Sequence, residues 1–245
     1  MRRVAALALL LVLAAPARAD DVTRGRRLYV QGCISCHGPQ LAGVRAGTQP
    51  RGAGGVRGAG PPLAGVGAQA AHLYLSTGYM PLQDPNDQPL RKTPLRYSED
   101  DIRALVAYIG SFGGPPIPQP HPERGSLSQG LRLFTENCAG CHQMGVQGGI
   151  MPGAIAPELL HATPTQIAEA VRVGPYVMPR FTRRQLTDHE LDSVIAYVER
   201  AKHPVDRGGW GIGHIGPIPE GLVAWLLAGV VLLGLARVIG ERSRS

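Results

Sequence analysis

Cys33-Ile34-Ser35-Cys36-His37 decides the reading of this chain, because its pattern returns once, as Cys138-Ala139-Gly140-Cys141-His142, and the chain has 4 cysteines in all. A Cys-x-x-Cys-His run places two thiols one helical turn apart. There they can form thioethers to the two vinyl groups of a haem while the histidine offers a nitrogen to the iron. The bland alternative, a redox or zinc Cys-x-x-Cys followed by histidine by accident, is reasonable once but poor twice in a chain with no other cysteine. The spacing therefore predicts two covalently bound haem c groups, held by Cys33, Cys36 and His37 and by Cys138, Cys141 and His142. With all cysteines so assigned, no disulfide framework remains.

Working outward, the residues before each motif repeat in the same register. Gly25, Leu28 and Tyr29 precede Cys33 as Gly130, Leu133 and Phe134 precede Cys138. A glycine inside a helix costs about 1 kcal/mol relative to alanine, so its recurrence at one position predicts a close crossing by another helix. The partner helices begin at Ser98-Glu99-Asp100-Asp101 and Thr187-Asp188-His189-Glu190, both read as capping boxes. Each continues as one apolar stripe at i, i+3, i+4, i+7: Ile102, Leu105, Val106, Ile109 in one and Leu191, Val194, Ile195, Val198 in the other. Tyr29, Phe134, Tyr108 and Tyr197 read as core packing between the first and last helices of two duplicated units.

The remaining segments frame this duplication. Arg2 and Arg3 precede the apolar run from Val4 to Ala15, and Ala17-Arg18-Ala19 offers a cleavage point, so residues 1–19 read as a signal peptide or an uncleaved anchor. Export suits covalent haem attachment. The proline-rich stretch from Gly113 to Pro122 reads as an extended connector. The run from Gly43 to Gly60, with Arg45, Arg51 and Arg57, reads as a surface loop. From Leu222 to Ile239 the chain is apolar on every face except Arg237, and 18 residues at about 1.5 Å each span the hydrocarbon core of a bilayer. Arg237, Arg242 and Arg244 cluster at the far end, placing the C-terminus in the cytoplasm and the haem units outside, with Trp225 in the interfacial belt. The fold class expected is all-α, with two tandem haem-binding domains and one C-terminal transmembrane helix. The expected boundaries are a first domain at 23–112, a linker at 113–126, a second domain at 127–203, a Gly-rich linker at 204–220, the span at 221–240 and a tail at 241–245. An aromatic content of 5% suits such a chain, since porphyrin plates take the place of aromatic side chains. The formal charge of +7 is a weak guide: without Arg2, Arg3 and Arg18, the 25 basic residues become 22 against 18 acidic ones, before haem propionates are counted. Nucleic acid is not expected as a partner.

Together the motifs resemble class I cytochrome c, whose helical fold carries a glycine and an aromatic before the haem motif, a proline loop after it and a distal methionine. In that resemblance Gly60-Pro61-Pro62-Leu63 and Ala156-Pro157-Glu158-Leu159 match the loop, so Pro61 and Pro157 would offer carbonyls to His37 and His142. The resemblance also calls for a sixth iron ligand after the proline loop. Met80, in Thr77-Gly78-Tyr79-Met80-Pro81, and Met178, in Pro175-Tyr176-Val177-Met178-Pro179, fit best. Met144 is too near His142, Met151 precedes the proline loop, and His72 and His161 read as surface or haem-edge residues rather than bis-His ligands. The iron ligands expected are thus His37 with Met80 and His142 with Met178.

Two haem domains followed by a C-terminal anchor, with Gly216-Pro217-Ile218-Pro219-Glu220-Gly221 leading into Leu222-Val223-Ala224-Trp225, resemble the dihaem cytochrome c subunits of the actinobacterial menaquinol:cytochrome c reductase, the cytochrome bcc complex. The resemblance implies an electron-transfer subunit with cytochrome b and a Rieske iron-sulfur protein as partners and a haem-copper oxidase as acceptor, the quinol chemistry belonging to other chains. The chain departs from those relatives in its longer Gly43–Gly60 loop and in lacking a clear N-terminal anchor. The competing classes are a membrane-anchored dihaem subunit of another respiratory oxidase or dehydrogenase, and a dihaem peroxidase or thiosulfate-oxidising enzyme. A cbb-type oxidase subunit would carry its anchor before the haem domains, and the enzymes would need an open iron position.

Overall fold

A computed structural model of the chain describes residues 20–45, 60–84, 87–203 and 217–242, the last segment with side chains from 221. Met1–His203 and Pro204–Ser245 form separate compact units. The expected signal segment, most of the Gly43–Gly60 loop and most of the 204–220 linker lie outside the described residues.

The first module begins with α1 over residues 20–32, followed by α2 (Ile34–His37), which holds the first motif, and a single 3-10 turn at Pro39–Leu41. Then come α3 (Gly67–Ser76) and α4 (Glu99–Gly110). The second module repeats the plan with α5 (Leu127–Asn137), α6 (Ala139–His142), α7 (Pro164–Val173) and α8 (Asp188–Lys202). In place of the first module's long Gly-rich loop it has a hairpin, β1 (Gly149–Met151) antiparallel to β2 (Ala154–Ala156). This small sheet is the one departure from the all-α expectation among the described residues.

The paired glycines are explained by helix crossing. A Cβ on Gly25 would run into the Ala104 carbonyl and the Tyr108 side chain, and one on Gly130 into the Ser193 carbonyl and Tyr197. Only a hydrogen lets the first and last helix of each module meet backbone to backbone. Beside each crossing the predicted aromatics stack at a tilt, Tyr29 on Tyr108 at 5.5 Å and Phe134 on Tyr197 at 5.0 Å. The last helices differ at their starts. Thr187 and Glu190 close a full capping box on α8, whereas at α4 Ser98 accepts from the Asp101 amide without a full box. The Asp101 carboxylate meets the Ser98 hydroxyl at 2.9 Å and Arg24 of α1 at 2.7 Å.

The two cores are built alike, one around Tyr29, Leu41, Leu105 and Tyr108, the other around Phe134, Val146, Ile195 and Val198. Leu41 and Val146, each four residues after the motif histidine, are both fully buried, and their carbonyls accept from the Leu63 and Leu159 amides that follow the proline loops. The connector lies along both modules: Pro115 accepts from the Gln69 amide of α3, Ile117 packs on the first core, and the His121 amide donates to Asp192 of α8. Between the modules α3 packs on α7. His72 Nδ1 meets Glu169 Oε1 at 2.7 Å, and the Gln166 amide donates to the Ser76 hydroxyl at 3.0 Å.

In the separate C-terminal unit, α9 (Pro217–Arg242) is a single helix. Its stretch Gly221–Arg242 has 22 residues, a mean hydropathy of 2.4 and no burial within the protein. At about 1.5 Å per residue that is about 33 Å, enough for a bilayer core, and every large apolar side chain on it, Trp225 included, is exposed.

Candidate functional site

Each motif is presented by the same local device. The chain leaves α1 or α5 through a cysteine with non-helical backbone, turns once through the motif and ends in a positive-φ residue, Gly38 or Gln143, so that the histidine faces back toward the core. The proline loops then fix the rings. His37 Nδ1 lies 2.9 Å from the Pro61 carbonyl and His142 Nδ1 lies 2.9 Å from the Pro157 carbonyl. A carbonyl can only accept, so Nδ1 carries the proton in both rings and Nε2 is left as the free lone pair. Gly60 permits this approach, since a Cβ there would meet the Cys36 carbonyl and the His37 ring.

The second module gathers its predicted residues around one cavity. Cys138, Cys141, His142 and Met178 all line it, together with Phe134, Leu159, Ile167, Val171, Val194 and Val198. The cavity is partly open to solvent and its lining is mostly apolar. Met151, which the sequence reading set aside, lines the cavity too, because the β1–β2 hairpin folds it over the opening. In the first module Cys33 and Ile34 pack against the core and His37 is fixed by Pro61, while Met80 stands in the loop after α3 with its amide bonded to the Tyr74 carbonyl.

The electrostatics suit a covalent porphyrin. Burial pushes the Cys33 and Cys138 thiols up to about 11, so neither is a thiolate at neutral pH. A thioether carries no charge and pays no such penalty. Burial lowers His142 below the usual imidazole range, against the opposing hydrogen bond to Pro157, which keeps the ring neutral and its Nε2 able to ligate. Among the described residues no cluster of three or more His, Cys, Asp or Glu side chains is placed to hold a bare metal ion.

The sequence competitors fall elsewhere. His161 is exposed beside Glu158, and Met144 is exposed with its sulfur accepting from Thr135. His72 is partly exposed, and its Nδ1 lies 2.7 Å from Glu169 Oε1 of the other module.

Two positioning residues escaped the sequence reading. Arg172 is nearly buried and donates to the Phe181 and Leu186 carbonyls and to Asp188 at 2.8 Å, closing the loop that carries Met178. Lys92 does similar work in the first module, donating to the Pro81 carbonyl beside Met80 at 2.8 Å. Nothing in local sequence pattern distinguishes these two from the other basic residues of the chain.

Comparison with known proteins places this geometry. A family model described as Cytochrome c matches residues 22–112, and one described as Cytochrome C oxidase, cbb3-type, subunit III matches residues 125–198. The chain is similar to a cytochrome bc1 complex cytochrome c subunit of Corynebacterium diphtheriae, 36% identical over 241 residues covering 91% of this chain and 81% of that protein. It is also similar to the protein of that name from Mycobacterium tuberculosis, 37% identical over 229 residues covering 89% and 77%. The Mycobacterium leprae protein of the same name is 36% identical over 229 residues, covering 89% and 75%. Cytochrome c domains carry covalently bound haem c, which the buried thiols, the neutral imidazole and the apolar cavity suit. With more than a third of its residues shared along most of both lengths, the chain belongs to the family of cytochrome bc1 complex cytochrome c subunits.

Proposed function

We propose that the chain is a dihaem relay of a quinol:cytochrome c reductase, carrying two covalent haem c groups on Cys33, Cys36 and Cys138, Cys141. The iron ligands are His37 with Met80 and His142 with Met178. The observation that carries this is the cavity of the second module, where one apolar space is lined by both motif thiols, a neutral histidine and a methionine from a braced loop. A bound haem supplies one-electron exchange at its iron. The protein's own part is to orient the imidazole through Pro61 or Pro157, to hold the methionine loop with Lys92 or Arg172, and to exclude water with the buried core. Ligation by methionine together with histidine would raise the potential, which fits a carrier between a Rieske iron-sulfur protein and a haem-copper oxidase. In this reading, residues 23–112 and 127–203 are the haem domains on the outer face of the cell membrane and α9 is the anchor. Cytochrome b and the Rieske protein are the partners within the complex.

A second reading, a membrane-anchored dihaem subunit of another oxidase or dehydrogenase, is favoured by the match of residues 125–198 to the cbb3-type oxidase model. Extraction of native membranes in mild detergent decides between them. Recovery with a cytochrome b and an iron-sulfur protein is expected; recovery with a haem-copper oxidase core and neither of those would overturn the reductase assignment.

A further inference from the structure

The cavity of the second module is not built by that module alone. Leu73, Thr77, Tyr79, Gln88, Pro89 and Arg91 of the first module form part of its wall. The loop after α3 is fastened there by three hydrogen bonds at two places. The Gln88 amide pairs with both backbone groups of Ile155 on β2, at 2.6 and 2.9 Å, and Arg91 Nη2 donates to Gln166 Oε1 of α7 at 3.1 Å. Gln166 is itself immobilised, since its amide also closes the capping box of α7 with Thr163 and donates to Ser76.

Charge makes this sharing meaningful. Among the described residues lining the cavity, Arg91 is the single Lys or Arg, and the one carboxylate is Glu158. A haem brings two carboxylates of its own, and the second module offers no cation at the wall to meet them. Arg91 also acts on its neighbour on that wall: burial raises the Tyr79 hydroxyl above its usual range, and the Arg91 charge opposes the rise.

We propose that Arg91, a residue of the first module, is a positioning residue for the haem of the second, its guanidinium held by Gln166 as the cationic counterpart of the porphyrin carboxylates. The inference rests on the proposed haem at His142. A positive charge on the cavity wall favours the reduced state, which carries one more electron, so Arg91 holds the potential of the second haem up. The first module thereby sets the driving force for electron transfer into or out of its neighbour.

The test uses the full-length detergent-solubilised holoprotein and its Arg91→Gln and Arg91→Lys variants, read by haem content after denaturation and by optical redox titration. The component lost in Met178→Ala identifies the second haem. Arg91→Gln should make reduction of that haem about tenfold less favourable, about 59 mV lower for a one-electron couple, with the first haem unmoved and the lysine variant close to wild type. Loss of the second haem from the glutamine variant but not from the lysine variant would equally support a charge requirement. Two haems with unchanged potentials in Arg91→Gln would overturn the proposal, as would equal effects of glutamine and lysine, which would reduce Arg91 to a hydrogen bond between modules. A single haem in the wild-type protein would instead sink the dihaem reading itself.

Discussion

His72 and Glu169 set up a sharp prediction about what holds the two modules together. Glu169 is fully buried, its Oε1 bonded to His72 at 2.7 Å and its Oε2 without any partner. Burial raises its pKa above the usual carboxylate range, and His72 pulls it part of the way back. Arg91 and Arg172 are engaged elsewhere, the one with Gln166 and the other with the Met178 loop. A carboxyl that binds its proton more tightly folded than unfolded contributes stability that is fully present below the unfolded value and is lost as pH rises through the folded one. The interface should therefore weaken as pH climbs out of the ordinary glutamate range. His72→Leu removes the partner of a buried charge, a loss of about 3–5 kcal/mol when the carboxylate is ionised. In mild acid the carboxyl can take a proton instead, and the loss should shrink to the ~1–3 kcal/mol of an unpaired buried polar group. Glu169→Gln keeps a hydrogen-bonding partner for His72, abolishes the titration and should flatten the pH slope. Joint replacement by leucine should recover most of the single-variant loss. Urea unfolding of the holoprotein in mild acid and in mild base measures all of this, with hydrogen exchange in α3 and α7 to separate interface from cores. Equal cost of His72→Leu at the two pH values, or an undiminished slope in Glu169→Gln, would refute the reasoning.

The glycine crossings predict that Gly25→Ala and Gly130→Ala each force two helices apart and lose at least the ~1–3 kcal/mol of overpacking, seen as lowered unfolding midpoints in the module that carries the change. Met178→Ala should remove one low-spin His/Met spectral signature while Met151→Ala leaves both; the reverse result would move the ligand to the hairpin. Arg172→Ala strands two carbonyls of the Met178 loop and should lose about 1–3 kcal/mol, with Arg172→Lys restoring part of it in thermal unfolding of the second module.

Much of this architecture is legible in the amino-acid order because the duplication writes each signal twice. Gly25 with Gly130, the stripes of α4 and α8, and the aromatics between them are local patterns whose only sensible partners are one another. The proline loops are readable through the resemblance to class I cytochrome c, which implies a carbonyl near each motif histidine. What the sequence hides is the contact between copies. Gln88, Arg91, Gln166 and Glu169 carry no periodicity that marks them, and His72 looks like any polar residue on a helix until α7 is brought against it. The hairpin at Gly149–Ala156 is hidden for a different reason: three-residue strands are too short to show alternation, so Met151 reads as a loop residue rather than part of the cavity wall.

The loop after α3 carries a consequence for how such a chain can be divided or recombined. Since Gln88 and Arg91 finish a wall that the downstream half leaves incomplete, the copies are no longer interchangeable parts. Cut loose, the C-terminal copy would present a cofactor chamber with an open flank, whereas the N-terminal copy would lose only a neighbour. A recombined protein that pairs the C-terminal copy with a different partner would need that partner to supply the missing wall.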